Sequence, residues 1–425
     1  MGVEELNRER NLFGSSIKYW WRHLAMAKNR SPTGVLIVAT ISHVMQHIYV
    51  GSSVFLPIIV ADLKLNYTEF GLAMAVSSLI GGLSQILFSV ASRRIARHVL
   101  LGLGNILLAL GTFLTGLSRR MLDFLSARLL SNIGVAPQHP MGTAIVSESF
   151  DEKSLGRALG FHYGLAYVGN IVGPAIMTIL AATFGWRNTF FIFSAPALIV
   201  GLTVIWYLRG VKSALSRDAG SSSKKNDLKA DALSLLRTRG VITILSAQTL
   251  LSGGIDIGIL TTYIPIFLAN FLGMDVYEMG MVYAIGLLGG VIGPVLLGGY
   301  AGRIGYIKTA IISALIASTL TLLLTPYGLR AYGILVSAHL FSLMFMSFSL
   351  PTLLQSQLVS VSSGYNRDLA VGIFFTVSFI FGSLWTGIIG YMVDKFSSFQ
   401  PAFILMGVLG LLSSIILMSQ IRQRK

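Results

Sequence analysis

The chain contains no cysteine, which excludes disulfide bridges, thiolate metal sites and cysteine nucleophiles, and removes redox usage as a guide to compartment. Charge is scarce too. Only 12% of the 425 residues are Asp, Glu, Lys or Arg, against roughly 25% in an ordinary soluble domain. Acids are the rarer sign, 17 against 32 bases. Most polar connections, such as Ser92 to Arg97 and Gly302 to Tyr306, are too short to hold a catalytic domain. No Gly-x-x-x-x-Gly-Lys-Ser/Thr loop occurs, so ATP is not expected as an energy source. A cleavable signal peptide is not expected either, because the first apolar run begins near Gly34, is too long for an h-region and follows a polar start.

What the chain does have is apolar sequence: 54% hydrophobic residues and 45 glycines. No water-soluble fold has that much interior to fill, and small residues let helices approach closely in lipid. A bilayer core needs about 20 apolar residues per helix. Read with that window, the sequence gives twelve spans, near 34–60, 69–91, 98–117, 121–148, 156–183, 187–208, 241–269, 277–301, 307–325, 329–358, 368–393 and 399–420. The expected fold class is therefore an all-α polytopic membrane protein, with twelve transmembrane helices in two pseudo-symmetric six-helix bundles.

The expected organisation is an N-terminal segment over 1–33, a first bundle over 34–209, a linker over 210–240, a second bundle over 241–420 and a tail over 421–425. The linker holds Ser221-Ser222-Ser223-Lys224-Lys225 and reads as a flexible tether. In the first segment, Trp20, Trp21, Arg22 and Lys28 suit an interfacial helix over 15–30, since indoles and basic heads favour the headgroup layer. With both termini cytoplasmic, about 25 of the 32 Lys and Arg fall inside and about six outside, which is the positive-inside asymmetry. The net charge of +15 thus marks membrane sidedness, and no nucleic-acid partner is expected.

The two halves carry a weak repeat. At one constant offset Glu69 and Gly71 meet Glu278 and Gly280, and at another Ala158, Gly160, Phe184, Phe191 and Ile192 meet Ala370, Gly372, Phe396, Phe403 and Ile404. Parallel repeats of six helices are how one large group of transporters builds a midplane site between rocking halves.

Local patterns agree. In span four, Leu125-Ser126-Ala127-Arg128-Leu129-Leu130-Ser131-Asn132-Ile133-Gly134 resembles the Leu-x-x-x-Arg-x-x-x-Gly-x-Gly element of the major facilitator superfamily, with Asn132 in place of the first glycine. Ser89 to His98 and Gly298 to Gly305 hold the places of that family's Gly-x-x-x-Asp-Arg-x-Gly-Arg-Arg gate loops, with Arg93 and Gly302 in the aspartate's slot. Arg93, Arg94, Arg97 and Arg303 are the gating-loop candidates, Arg94 and Arg303 as possible holders of helix ends. Gly169-Asn170-Ile171-Val172-Gly173-Pro174 resembles the antiporter element of drug exporters, and the His139-Pro140 pair resembles that of the fosmidomycin-resistance branch. The resemblance implies a central cavity lined by spans one, four, seven and ten, and an intramembrane arginine that takes part in proton coupling.

Ionisable groups at membrane depth are costly and mark functional positions. They are His43 and His47 in span one, Arg128 and His139 in span four, His162 in span five, Asp256 in span seven and His339 in span ten. At about 100° per residue, His43, Gln46 and His47 share one arc, Gln248, Ser252, Asp256 and Tyr263 a second, and Tyr163, Tyr167 and Asn170 a third. Arg128, Asn132, His139 and Thr143 nearly align as well, with Pro137 and Pro140 expected to bend the helix. The candidates for substrate binding or proton coupling are His43, Gln46, His47, Arg128, His139, Tyr163, Tyr167, Asn170, Gln248, Asp256, Tyr263 and His339. A metal site is not expected, since His43 and His47 lack a third ligand. The Gly156, Gly160, Gly164 series reads as a packing ridge.

The expected function is secondary active transport of a small organic solute by alternating access. One arginine and several histidines against a single aspartate point to an organic anion and to proton coupling. Proton-coupled drug export is the alternative, and a membrane-embedded enzyme or receptor a remote one. The expected partners are the solute, protons and membrane lipid, with no cofactor and a monomer as the working unit. The expected location is the plasma membrane.

Overall fold

In the computed structural model, residues 30–50, 59, 62–64, 67–209, 211, 228–274, 276–326, 333–362 and 366–422 are described. Apart from Arg30, the stretch over 15–30 expected to form an interfacial helix lies outside them, as do the serine and lysine stretch of the linker and the last three residues. Among the described residues all regular structure is helical. The first half holds α1 (Pro32–Val50), α2 (Tyr67–Ala91), α3 (Arg97–Leu117), α4 (Met121–Val135), a π-turn (Gln138–Gly142), α5 (Thr143–Ser149), α6 (Glu152–Ala166) and α7 (Val168–Leu208). A linker helix, α8 (Leu228–Arg237), precedes the second half: α9 (Val241–Gly254), α10 (Ile257–Ile266), a π-turn (Phe267–Phe271), α11 (Val276–Ile304), α12 (Tyr306–Leu322), α13 (Gly333–Ser347), α14 (Ser349–Val361), α15 (Arg367–Phe396) and α16 (Gln400–Arg422).

These elements carry the twelve spans. Seven stretches of described helix are long and apolar enough to cross a membrane by length and composition, and two more, Leu79–Ala91 and Tyr306–Leu322, are apolar but shorter. The fourth span divides where Pro137 and Pro140 deny the ladder two N–H donors, and the freed backbone closes a π-turn. Within α7 the helix breaks at Gly185, whose φ of 77° a side chain would resist. That break turns the fifth span into the sixth. Leu87, Ile179, Ile199 and Ile334 are exposed on the outside, as a lipid-facing surface requires.

The seventh span is also broken. Asp256 caps α10 by accepting from the Gly258 N–H at 3.1 Å, and Ile255 leaves the helical region at φ −133°, ψ 19°. The single continuous arc expected for Gln248, Ser252, Asp256 and Tyr263 therefore holds only in its first part.

Within the first half α3 packs on α4 and α7, and α1 on α6 and α7. Within the second, α11 packs on α13, and α16 on α9 and α12. The halves meet along two seams, α6 against α11 and α2 against α15, with α14 also touching α6 and the first π-turn touching α15.

Candidate functional site

Four imidazoles converge in the first half. His43 on α1 has ring neighbours His162 on α6 at 4.7 Å, His47 at 4.9 Å and His139 on the π-turn at 5.2 Å, measured between centroids. Tyr163 lies edge-on to His43 at 5.1 Å, and Tyr167 edge-on to His47 at 5.2 Å. His47 Nε2 is 3.3 Å from His43 Nε2, and His47 Nδ1 is 3.0 Å from Asn170 Oδ1. His162 Nδ1 meets Thr40 Oγ1 at 3.3 Å. His43 and His162 are buried, while His47 and His139 keep partial exposure.

The π-turn is what brings His139 into the group, by rotating the chain out of the α4 register. Arg128, on the other side of that turn, lies with its guanidinium 4.9 Å over the Tyr49 ring, farther along α1. The expected alignment of Arg128, Asn132, His139 and Thr143 is thus split across depths. Gln46 reaches Gln138 Oε1 at 3.3 Å, behind the imidazoles, where Ser42 also donates to Gln138 at 2.7 Å.

In the second half, Gln248 donates to Asp256 Oδ2 at 3.1 Å, to Ser378 at 2.9 Å and to Ser252 at 3.3 Å. Tyr263 instead turns to the Thr386 carbonyl on α15. His339 bonds the Leu320 carbonyl on α12 at 2.8 Å and is not brought to the other candidates. Contacts that join the halves beside the imidazoles include Phe375 of α15 stacking on His139 at 3.8 Å, Tyr163 and Thr143 donating to Gln355 of α14, and Tyr167 edge-on to Phe348 at 5.3 Å.

The gate loop is built differently from its expected form. Arg97 pairs with Asp368 at the start of α15 at 2.7 Å and with Glu148 at the end of α5 at 2.5 Å, all three being buried at the side chain. Ser92 donates to the same Asp368 at 2.6 Å. The aspartate missing from the loop is thus supplied by the opposite half. Arg93 pairs with Asp231 on α8. Arg94 and Arg303 are exposed.

The residues that the sequence reading missed are mostly cross-half partners. His162 was legible as an ionisable group in a span, but it sits on span five, which the resemblance places outside the cavity lining. Gln355, Phe375 and Asp368 are unremarkable by type, and only their position at the seam gives them a role. An acid at the start of span eleven, facing a loop that lacks its own, was the one available signal for Asp368.

The family model of the Major Facilitator Superfamily matches residues 36–386. The chain belongs to that superfamily. Its similarity to the probable L-galactonate transporter of Escherichia coli (strain K12) is 26% identity over 385 residues, covering 84% of this chain and 83% of the relative. To the probable galactarate/D-glucarate transporter GudP of Bacillus subtilis (strain 168) it is 24% over 346 residues, covering 74% of each. Among solved structures, the fucose:proton symporter of E. coli superposes with a TM-score of 0.75 at 17% identity, over 92% of this chain and 99% of that one. As a superfamily member, this chain is an integral, multi-pass membrane transporter of small solutes rather than an enzyme. The His139-Pro140 pair, which resembled the fosmidomycin-resistance branch, lies in the π-turn.

Proposed function

We propose that this protein moves small organic anions, with polyhydroxylated carboxylates as the favoured class, across the plasma membrane by proton-coupled alternating access. The observation that carries the reading is the polarity of the two half-sites. The first half offers four imidazoles and Arg128, groups that attract a carboxylate and can hold a proton. The second offers the Gln248, Ser252, Asp256 and Ser378 network, whose amide, hydroxyl and carboxylate groups suit substrate hydroxyls. Relatives named for galactonate and for galactarate or glucarate fit this division.

Drug export is less well supported, because the glycines that suggested it seat a helix: Gly169 lies against Val44 and His47, and Gly173 against Ile48. Counterflow into proteoliposomes separates the readings. Galactonate and glucarate should exchange, whereas galactose and a lipophilic cation should not. Exchange of the cation alone would leave the export reading standing in its place. In the same assay Arg128→Lys keeps the charge but loses the planar fork. It should raise the half-saturating anion concentration about tenfold, roughly the loss of one charge-assisted hydrogen bond; an unchanged value returns Arg128 to a packing role.

Orientation belongs to the same proposal. The lysine and arginine asymmetry puts the linker and both termini in the cytoplasm. Cysteines introduced at Ser222 and Lys425 should therefore resist an impermeant thiol reagent in intact cells, where the native chain has no competing thiol. Labelling of either from outside reverses the assignment.

With that orientation, the described bonds between the halves concentrate at the cytoplasmic end. They include the Arg97–Asp368 pair, the Ser92 hydroxyl donating to Asp368 at 2.6 Å and the Gly156 N–H donating to Tyr306 Oη at 3.1 Å. This conformation is the one closed toward the cytoplasm.

A further inference from the structure

The imidazole cluster has a hydrogen count that its neighbours do not complete. Asn170 Oδ1 accepts, so His47 Nδ1 carries the hydrogen. Neutral His47 then has a bare Nε2, and the 3.3 Å contact requires His43 Nε2 to donate to it. Neutral His43 is left with a bare lone pair at Nδ1, and that atom is buried with no hydrogen-bond partner. His139 Nδ1 and His162 Nε2 are buried without partners as well. A Cβ added at Gly142 would stand 3.2 Å from His162 Nε2, so the absence of a side chain there keeps this nitrogen uncovered.

Among the described residues no carboxylate touches the rings; Asp256 of the second half acts on Tyr167, which lies edge-on to His47. The titratable groups facing His43 are His47 on its own helix, His139 on the π-turn, and His162 and Tyr163 on α6. Of the other elements packed on α1, α3 brings the Asn105 amide, α7 the Asn170 amide and α5 the Thr143 hydroxyl. The cation Arg128 stacks on Tyr49, nearly two turns farther along α1.

Resting on the organic-anion reading above, we propose that His43, His47, His139 and His162 form one shared proton-binding centre, and that the imidazolium formed there is the docking point for the substrate carboxylate. A proton enters a bare imidazole lone pair and converts one ring to a cation, with no other bond made or broken. A buried cation without a partner is costly, so the proton is held weakly until the anion arrives. The anion in turn meets a neutral imidazole cluster until the proton is held. Each ligand raises the other's affinity by the same factor, as linkage demands. Proton and anion therefore load together, which is the requirement for symport.

The stack of Phe375 on His139 and the Tyr163–Gln355 bond place this centre directly against the second half. Charge arriving at the cluster is therefore felt where the halves touch.

The test is calorimetric titration of the purified full-length protein with galactonate at about pH 7.5, above the usual imidazole range, in buffers of different ionisation enthalpy, which yields the protons taken up per anion bound. Neutral galactose is the parallel probe. Wild type is expected to take up about one proton per galactonate and to bind galactonate more weakly as pH rises above the imidazole range. His43→Gln and His162→Gln keep hydrogen-bonding groups but cannot hold a proton. Each should still elute as a folded monodisperse species and should bind galactonate with uptake well below that of wild type and a flattened pH dependence. His339→Gln, which alters a histidine bonded to α12, should retain the wild-type uptake. Galactonate binding without proton uptake in wild type, or full uptake in both cluster variants, overturns the proposal while leaving the anion reading intact. Binding of galactose in preference to galactonate overturns the anion reading and the proposal with it.

Discussion

Arg97→Gln is expected to abolish most transport and to lower thermal stability, because it removes the cation that bonds both Asp368 and Glu148 and leaves them only the half-buried Arg367 nearby. Removing one partner of a buried ion pair costs about 3–5 kcal/mol. Arg97 and Glu148 belong to the first half and Asp368 to the second, so part of that cost falls on closure itself. An alternating-access cycle needs its two end states within a few kcal/mol of each other, and a bias of about 3 kcal/mol changes the ratio of closed to open by more than a hundredfold. Asp368→Asn should be milder, since the Arg97–Glu148 pair survives and Ser92 can still donate to the amide oxygen. The double change Arg97→Gln with Asp368→Asn should recover stability relative to Arg97→Gln alone, because one of the two stranded charges is gone. Melting temperature and initial uptake rate measured across this cycle decide the matter. A double variant no more stable than the single one would mean that the pair is not coupled.

Gly160→Leu should be nearly as damaging, by a different route. A Cβ at Gly160 would overlap the Pro294 carbonyl of α11, and one at Gly164 would stand 2.6 Å from the Val291 carbonyl. The two helices approach backbone to backbone along this seam, closer than side chains allow. Overpacking of a tight contact costs about 1–3 kcal/mol when neighbours can relax, and here the obstacle is main chain. The seam should therefore fail to close, with transport falling tenfold or more. The cysteine-free background allows a direct check: a cysteine introduced at Gln355, buried beside Tyr163, should gain reactivity toward a thiol reagent applied from the linker side. Wild-type transport in Gly160→Leu, with Gln355→Cys still protected, would show that the seam closes around the added side chain and does not depend on the close backbone approach at Gly160.

Legibility differed between the fold and the site. Pro137 and Pro140 announced a disturbance in span four, because proline removes a donor wherever it sits. That the disturbance is a π-turn carrying His139 toward His43 depends on what α4 and α5 pack against. Asp256 stood out as an acid in an apolar run, yet a helical arc computed over an unbroken span could not show that it caps a second helix. His339 was as conspicuous as the other histidines. Its partner, a carbonyl one helix away, removes it from the group.

The sequence by itself determined that the chain lives in a bilayer, crosses it twelve times and divides into two related halves. Those conclusions rest on span length, charge scarcity and repeat spacing, which are local or additive properties of the chain. Which ionisable groups share a site was decided only by tertiary structure. The ring contacts of His43 reach residues 96 and 119 positions away, as 139 − 43 and 162 − 43 show, and the partner of Arg97 lies 271 positions along. Helical periodicity fixes the face a residue occupies but not the helix that covers that face, and a charge at membrane depth takes its meaning from the covering group.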